Sequence, residues 1–321
     1  MGKVTHVDVQ DCFSKPLNVQ SNIFNDNIAY VEQYDFSTAN LNEQNRIAAV
    51  SCVASICYAN PKAVGSISLY DRLACEAHSL PSSSFEFVPV FINFEDLDEI
   101  EQTSSIDDIE KMSIFKYGEI LDSSKGLLTN FRAIIYDVEN KRLSKNWLKH
   151  FNTPEECEII KQHFKVFKFN VDLPTRSQMV RHRVNWQELS RRYVSGERVP
   201  FEFYISEKMA KVKSTVAIVN DLGLTNFTLA EADDLSDGSM SYSTQAVIDI
   251  CLTHYKQALL DGVKPQEARR IIPQAAYSTI WGAFQPTQLA NFFKLRDDSH
   301  AQWEIQQVSQ AMKACIDIEN S

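Results

Sequence analysis

Apolar residues recur every three or four positions along much of the chain, which is the spacing of amphipathic helices. Gly262 closes one of these patterns, as glycine does at many helix ends. The pattern predicts helices over 41–60, 66–78, 126–151, 154–164 and 241–264, and two more within 286–316 that break near Asp297–Ser299.

Shorter runs of β-branched and aromatic residues predict strands at 85–93, 164–173 and 200–206. Residues 79–84 are typical of a turn, and the polar residues 220–240 predict a loop or lid. Strands and helices mix without a repeating strand–helix–strand order. This arrangement favours the α+β class, and no linker divides the 321 residues into two domains.

The overall composition is that of a globular protein, with 44% apolar and 23% charged residues. No apolar run approaches the roughly 20 residues of a membrane span, and the first residues lack the apolar core of a signal peptide. Gly2 could accept a myristoyl group, but that motif needs Ser or Thr where the chain has His6. We therefore expect a cytoplasmic protein without a membrane partner.

Cysteine and histidine give no support for a disulfide framework or a metal centre. The seven cysteines are scattered, odd in number and without a CxxC pair, and the seven histidines form no HExxH motif. The formal net charge of −10 also argues against a general nucleic-acid binder. We therefore expect neither a metal nor a nucleic-acid partner.

Charge is distributed unevenly along the acidic chain. Residues 94–110 carry eight acidic residues and no basic one, which predicts a solvated surface segment. In contrast, six of the thirteen arginines lie within 176–198. There is no GxGxxG or P-loop motif among the nine glycines, so arginine side chains are the candidates for holding a small anionic ligand.

The arginine-rich residues 178–192 fit a helix that begins after Pro174. On such a helix Gln178, Arg181 and His182 would share one face. The alternative is a solvated helix with one Glu188–Arg192 ion pair. A second group of arginines lies far downstream and favours a binding site; it comprises Arg269, Arg270 and Arg296.

Two separated motifs resemble those of the flavin-dependent thymidylate synthases, the ThyX family. QxxRHR followed by ELSxRY matches at Gln178, Arg181, His182, Arg183, Glu188, Leu189, Ser190, Arg192 and Tyr193. ARRIIP and NFFKLRDDSHAQWEIQQ are similar to the family's C-terminal block. The resemblance is strong over about 165–205 and 243–315 and weaker over 45–92.

The chain also departs from the family pattern. Six residues, rather than the usual seven, separate RHR from Ser190, and Gln187 stands where the family has asparagine. Residues 94 to about 163 read as an insertion between the strands predicted at 85–93 and 164–173. The resemblance implies one catalytic domain over 1–321, with a mainly antiparallel sheet packed with helices.

The family's chemistry is implied by the same resemblance. It would methylate dUMP at C5 to give dTMP, with methylenetetrahydrofolate as carbon donor, reduced FAD as hydride donor and NADPH as reductant of FAD. None of the seven cysteines lies in the PCH context of the cysteine-dependent enzymes, which is consistent with the flavin route. The family also implies a homotetramer with sites shared between subunits.

Site residues carry over by position. Arg296 would be the catalytic guanidinium that stabilises charge on the pyrimidine edge. The implied dUMP-binding residues are Gln178, Arg181, Glu188, Leu189, Ser190, Arg191, Arg192, Arg269 and Arg296, with Glu188, Ser190 and Arg192 coming from a neighbouring subunit. The implied FAD-binding residues are His78, Arg181, His182, Arg183, Glu188, Gln285 and Asn291.

Two alternatives to dUMP methylation stay open at this point. One is a related enzyme that hydroxymethylates the same base, motivated by the shortened spacing before Ser190. The other is a flavin- or nucleotide-binding sensor without turnover.

Overall fold

The computed structural model describes residues 29–74, 81–217, 232–234 and 239–319. Within these ranges the chain has an α+β fold in which every strand pair is antiparallel. The strands are β1 (Ala29–Tyr34), β2 (Pro89–Asn93), β3 (Glu119–Leu121), β4 (Gly126–Asn130), β5 (Lys165–Asp172), β6 (Asn185–Glu188), β7 (Lys213–Ala217), β8 (Ala232–Asp234), β9 (Ser239–Ser243) and β10 (Tyr277–Phe284). The helices are α1 (Glu43–Cys57), α2 (Ile67–Ala74), α3 (Phe94–Thr103), α4 (Ile106–Ile109), α5 (Ser113–Lys116), α6 (Phe131–Glu139), α7 (Pro154–His163), α8 (Leu173–Met179), α9 (Glu207–Ala210), α10 (Thr244–Leu260), α11 (Pro265–Ala268), α12 (Pro286–Arg296) and α13 (Trp303–Glu319).

A four-stranded sheet with the order β1–β5–β10–β6 forms the centre of the molecule. One face carries Phe169 and packs in a core with Phe292 of α12 and residues of α13. The other face carries Val166 and Trp281 and packs against α1 and the helices that follow β2. Because the successive side chains of a strand alternate between faces, β5 contributes to both cores.

The second sheet joins β2 to strands of the predicted insertion, in the order β2–β4–β3. Phe91 of β2 lies opposite Leu128 of β4. Within the acidic segment 94–110, α3 buries Leu97 and Ile100, whereas seven of its eight acidic side chains are exposed and Asp96 is half-buried. The acidic side chains therefore lie at the surface, as predicted.

Most of the predicted helices are confirmed. The helices over 41–60, 154–164 and 241–264 correspond to α1, α7 and α10, and the two C-terminal helices correspond to α12 and α13. Gly262 follows the end of α10 with a φ of +83°, a left-handed conformation that glycine adopts at low cost. The helix predicted over 66–78 is confirmed to Ala74, and its remainder lies outside the described residues.

Three predicted elements are wrong in part. Residues 83–87 form a 3₁₀ turn capped by Ser82, so the strand predicted from residue 85 begins only at Pro89. Of the helix predicted over 126–151, only Phe131–Glu139 is α-helical and Lys145–Lys149 forms a 3₁₀ turn. Residues 126–130 form β4, because pairing with β2 outweighs their helical pattern. Residues 200–206 make only an isolated bridge, between Phe203 and Ala276.

The third sheet, β7–β9–β8, falls partly on the predicted loop 220–240. The loop prediction is wrong for 232–234 and 239–240, which are strand residues. The rest of that loop lies outside the described residues.

The prediction of a long arginine-rich helix over 178–192 is also wrong. Helix α8 ends at Met179, a turn follows, and residues 185–188 form β6 against β10. Trp186 explains the change, because its ring packs against Phe169 and Phe284 in the core of the central sheet. Strand β10 itself, the partner of both β5 and β6, was not predicted.

Candidate functional site

A cavity of about 540 Å³ opens beside the ends of α8, β6 and β10. Among the residues that the structure describes, five arginines line it and Glu188 supplies the only carboxylate. Such an excess of guanidinium groups favours an anionic ligand that accepts several hydrogen bonds, such as a phosphate. The arginines of this arginine cavity are Arg176, Arg191, Arg192, Arg269 and Arg270.

Pairing of β6 with β10 positions the carboxylate. Glu188 lies opposite Ile280, and Ser278 two residues before it donates its hydroxyl to Glu188 Oε1 at 2.7 Å. Arg176 on α8 forms an ion pair with the other oxygen, Oε2. Both oxygens of Glu188 therefore have a partner within the chain, which holds the carboxylate in one orientation at the cavity wall.

The arginines of the cavity differ in how many contacts they make within the chain. Arg191 donates to the carbonyls of Val199 at 2.5 Å and Pro200 at 3.2 Å, and its guanidinium lies 4.1 Å from the ring centre of Phe201. Burial lowers the pKa of this guanidinium. Arg191 therefore mainly fixes the following loop.

Three exposed arginines of the cavity remain available to a ligand: Arg192, Arg269 and Arg270. None of them forms an ion pair with a residue that the structure describes. Arg192 lies over the Tyr193 ring at 5.2 Å. These three guanidinium groups are the candidates for direct contact with an anion.

Two other predicted residues line the same cavity through their local fold. Leu189 is buried and its backbone N–H donates to the carbonyl of Thr279 at 2.9 Å. Ser190 donates its backbone N–H to the carbonyl of Cys57 at 3.0 Å. The hydroxyl of Ser190 is half-buried at the cavity wall and suits hydrogen bonding.

A second group of predicted residues gathers around Arg296 at the end of α12. Arg296 Nε donates to Nε2 of His182 at 2.7 Å, and Nη2 donates to the carbonyl of Gln178 at 3.0 Å. Burial, and then the charge of nearby Arg181, lower the pKa of Arg296. Gln178 at the end of α8, His182 on the turn that follows and Arg296 at the end of α12 thus lie close together. Arg181 is near Arg296, but Gln178, Arg181 and His182 do not share one helix face.

The two groups face different sides of α8. Leu173 and Arg176 line the arginine cavity and are three residues apart on the helix. Gln178 lies two residues further along, roughly 200° around the helix from Arg176. Its amide donates to the side chain of Gln302, the residue just before α13. One chain therefore presents the arginine cavity and the Arg296 group separately.

The predicted flavin residues have mixed placements. Arg181, Arg183 and Asn291 are exposed, and neither guanidinium forms an ion pair with a described residue. Such a donor set fits the diphosphate of a dinucleotide cofactor. His182 is buried with only 7% of its surface exposed, and its ring nitrogen is already bonded to Arg296.

Gln285 is buried and has structural partners. Its amide donates to the carbonyls of Tyr117 at 2.9 Å and Leu128 at 3.3 Å. It also caps the first turn of α12 together with Gln288. The predicted flavin ligand His78 lies outside the described residues.

Sequence reasoning missed several residues of the arginine cavity. Arg176 belongs to the arginine-rich stretch that drew attention to the site, but no motif marked it. Ser278 and Tyr277 lie on the unpredicted strand β10. Arg270 belongs to the downstream arginine group but was not among the implied dUMP-binding residues, and the structure places it at the cavity.

The described ranges show neither a metal cluster nor a membrane-spanning helix. No cluster of three or more His, Cys, Asp or Glu side chains suited to a metal ion occurs there. No helix in those ranges is both long and apolar enough to cross a bilayer.

Comparison with known proteins identifies the family. The family model described as thymidylate synthase complementing protein matches residues 107–317, which is more than half of the chain. The chain belongs to this family, and the resemblance read from its motifs is confirmed.

Several relatives are named flavin-dependent thymidylate synthase. The chain is 34% identical to the protein of Thermosipho africanus over 149 residues, which is 44% of this chain and 59% of that relative. It is 32% identical to the protein of Kosmotoga olearia over 150 residues, or 46% and 60% of the two chains. For Thermotoga neapolitana the values are 28% over 198 residues, 61% and 79%. The matched part thus spans about three fifths of the first two relatives.

Proposed function

We propose that the protein is a flavin-dependent thymidylate synthase that methylates dUMP at C5 to give dTMP. Methylenetetrahydrofolate supplies the carbon and NADPH supplies the reducing equivalents. Family membership and the names of the relatives support this proposal. The geometry adds two features that suit a pyrimidine nucleoside monophosphate. Arg296 is a fixed guanidinium for the base, and the separate arginine cavity suits the phosphate.

The observation that carries the proposal is the way Arg296 is held. Carbon 5 of uracil reacts with an electrophile only when charge builds on the N3–C4–O4 edge of the ring. A guanidinium that is already oriented stabilises such charge without having to reorganise. The bonds from Arg296 to His182 and to the carbonyl of Gln178 provide that orientation.

The phosphate of dUMP binds in the arginine cavity. Arg192 and Arg269 donate to its oxygens, and Ser190 adds a hydroxyl. Glu188, fixed by Arg176 and Ser278, accepts a hydrogen bond from the nucleotide. Because the cavity and the Arg296 group face different sides of α8, each nucleotide is held between two copies of the chain. The family resemblance supports a homotetramer as the assembly that brings these copies together.

The flavin binds beside the Arg296 group. Arg181 and Arg183 hold its diphosphate, and Asn291 on α12 adds a polar contact. When bound, FAD in its reduced form supplies the hydride that completes the methyl group. The chain's residues orient both partners, tetrahydrofolate is released as its methylene carbon is transferred, and the C5 proton of dUMP leaves to solvent.

Product analysis tests the proposal. The purified protein is incubated with dUMP, methylenetetrahydrofolate, FAD and NADPH, and the nucleotide product is identified by mass spectrometry. We expect dTMP, formed only when both folate and a reductant are present. A hydroxymethylated nucleotide would instead identify the related hydroxymethylating activity, and flavin or dUMP binding without any product would identify a sensor.

A further inference from the structure

The acceptor that fixes Arg296 is a histidine side chain. Arg296 Nε donates to His182 Nε2 at 2.7 Å, and Nη2 donates to the carbonyl of Gln178 at 3.0 Å. A guanidinium has five N–H donors. With two of them used for anchoring, three remain, including both on Nη1, and these can meet a ligand.

His182 is itself held rigidly. Its ring lies 4.7 Å from the ring of Phe292, measured between centroids, and only 7% of the residue is exposed. Its backbone N–H donates to the carbonyl of Met179 at 3.0 Å, and its own carbonyl accepts from Trp186 Nε1 at 3.1 Å. Neither the ring nor the turn that carries it can shift without breaking these contacts.

The hydrogen bond defines the protonation state of the ring. An arginine can only donate, so Nε2 of His182 must be the acceptor, and the neutral ring carries its proton on Nδ1. Burial, and then the charge of Arg296, lower the pKa of His182 to about 4. The acceptor is therefore available throughout the neutral pH range.

We infer that His182 is a positioning residue that holds Arg296 for the reaction through its Nε2 acceptor. This inference rests on the proposed function and differs from a direct flavin contact, the role that the motif alone implied for His182. A flavin ligand would keep its ring exposed to the cofactor, whereas this ring is buried between Phe292 and Arg296. Removing the acceptor should therefore lower turnover and leave flavin binding intact.

Two substitutions at His182 form a matched pair. His182→Gln keeps an acceptor near the place of Nε2, whereas His182→Leu fills similar space without one. We expect His182→Leu to lower the methylation rate at saturating dUMP by about 10-fold or more, the effect of a lost hydrogen bond to a charged group. His182→Gln should recover most of that loss. Both variants should fold and keep the wild-type content of bound flavin.

A double substitution adds an internal check. If His182 acts through Arg296, the rate of His182→Leu combined with Arg296→Lys should equal that of Arg296→Lys alone within about 3-fold. Losses that multiply would overturn the inference, because they would mean that His182 acts independently. A flavin content that falls in both His182→Leu and His182→Gln would also overturn it, in favour of a flavin contact.

A measurement without turnover separates this inference from the proposed function. Phenylglyoxal modifies free guanidinium groups, and peptide mass spectrometry follows the modification of Arg296. We expect faster modification in His182→Leu than in the wild type and in His182→Gln. Unchanged modification in His182→Leu, or a normal methylation rate, would refute the positioning role. A wild type that forms no dTMP would refute the proposed function instead.

Discussion

Glu119 and Thr287 lie 168 positions apart in the sequence and are joined by three hydrogen bonds. The hydroxyl of Thr287 donates to Glu119 Oε1 at 2.7 Å, and its backbone N–H donates to Oε1 at 3.1 Å and to Oε2 at 3.0 Å. Thr287 is in the first turn of α12, the helix that ends at Arg296. The predicted insertion therefore contacts the helix that carries the candidate catalytic arginine.

Loss of this contact should lower stability. A carboxylate at a helix N-terminus is favoured by the helix dipole and satisfies free N–H groups. We expect Glu119→Ala to reduce the free energy of unfolding in urea by about 1 kcal/mol. Glu101 is an exposed acidic residue of the same predicted insertion, so Glu101→Gln is the control and should have no effect. Equal stability of the Glu119→Ala variant and the wild type would mean that the segment does not support α12.

The phosphate site predicts a selective loss of affinity. Arg269→Gln removes one unpaired guanidinium from the arginine cavity, and we expect it to weaken dUMP binding by about 10-fold, with a smaller dependence on salt. Isothermal titration calorimetry at two salt concentrations measures both effects. Lys62→Gln, a charge outside the cavity lining, should leave both unchanged. Equal affinities of Arg269→Gln and the wild type would remove Arg269 from the site.

The sequence predicted the elements that local interactions determine, and it failed where contacts between residues distant in the sequence determine the structure. Local sequence patterns were enough for α1, α10 and β5, because α1 and α10 carry apolar residues at helical spacing and β5 is a short run of β-branched and aromatic residues. It failed over 178–192, where Trp186 and pairing with the distant β10 outweigh helical spacing. No local sequence pattern predicted the contact between Glu119 and Thr287.

The motifs predicted many of the residues that the structure gathers at the candidate site, but not their arrangement. Arg192, Arg269 and Arg296 were all named in advance from their positions. That His182 would be buried against Arg296, and that Arg176 would hold Glu188, depended on how α8, β6 and α12 pack. Such contacts arise only in the folded chain.

The neutral state of His182 predicts a pH dependence of stability. The pKa of His182 is about 4 in the folded protein, against an ordinary value of 6.5, so the unfolded chain takes up a proton first as pH falls. The free energy of unfolding should therefore decrease as the pH falls from 6.5 to about 4, by at most about 3 kcal/mol.

Comparison with His182→Gln isolates that contribution. The variant lacks the imidazole and keeps the other titrating groups, such as Asp172, so the effects of those groups cancel in the comparison. The wild type should lose more unfolding free energy than the variant over this pH window. Parallel curves for the two proteins would show that His182 is not held neutral.

The role of Arg296 predicts a loss that charge alone does not prevent. Arg296→Lys keeps a cation but lacks the planar fork that reaches His182, the carbonyl of Gln178 and the pyrimidine edge together. We expect the variant to fold, to bind FAD and to methylate dUMP about 100-fold more slowly, the typical cost of a lost charge-stabilising donor. Single-turnover kinetics measures the rate. A near-normal rate would leave Arg296 with a structural role only.

Release of tritium from dUMP labelled at C5 tests the central claim most directly, because a methyl group can replace the C5 hydrogen only if that hydrogen leaves. The purified wild-type protein is supplied with FAD, NADPH and methylenetetrahydrofolate, and tritium in water is counted over time. The proposed function predicts release that accompanies dTMP formation and stops when folate is omitted together with the reductant. A folded, flavin-loaded protein that binds dUMP but releases no tritium would contradict it.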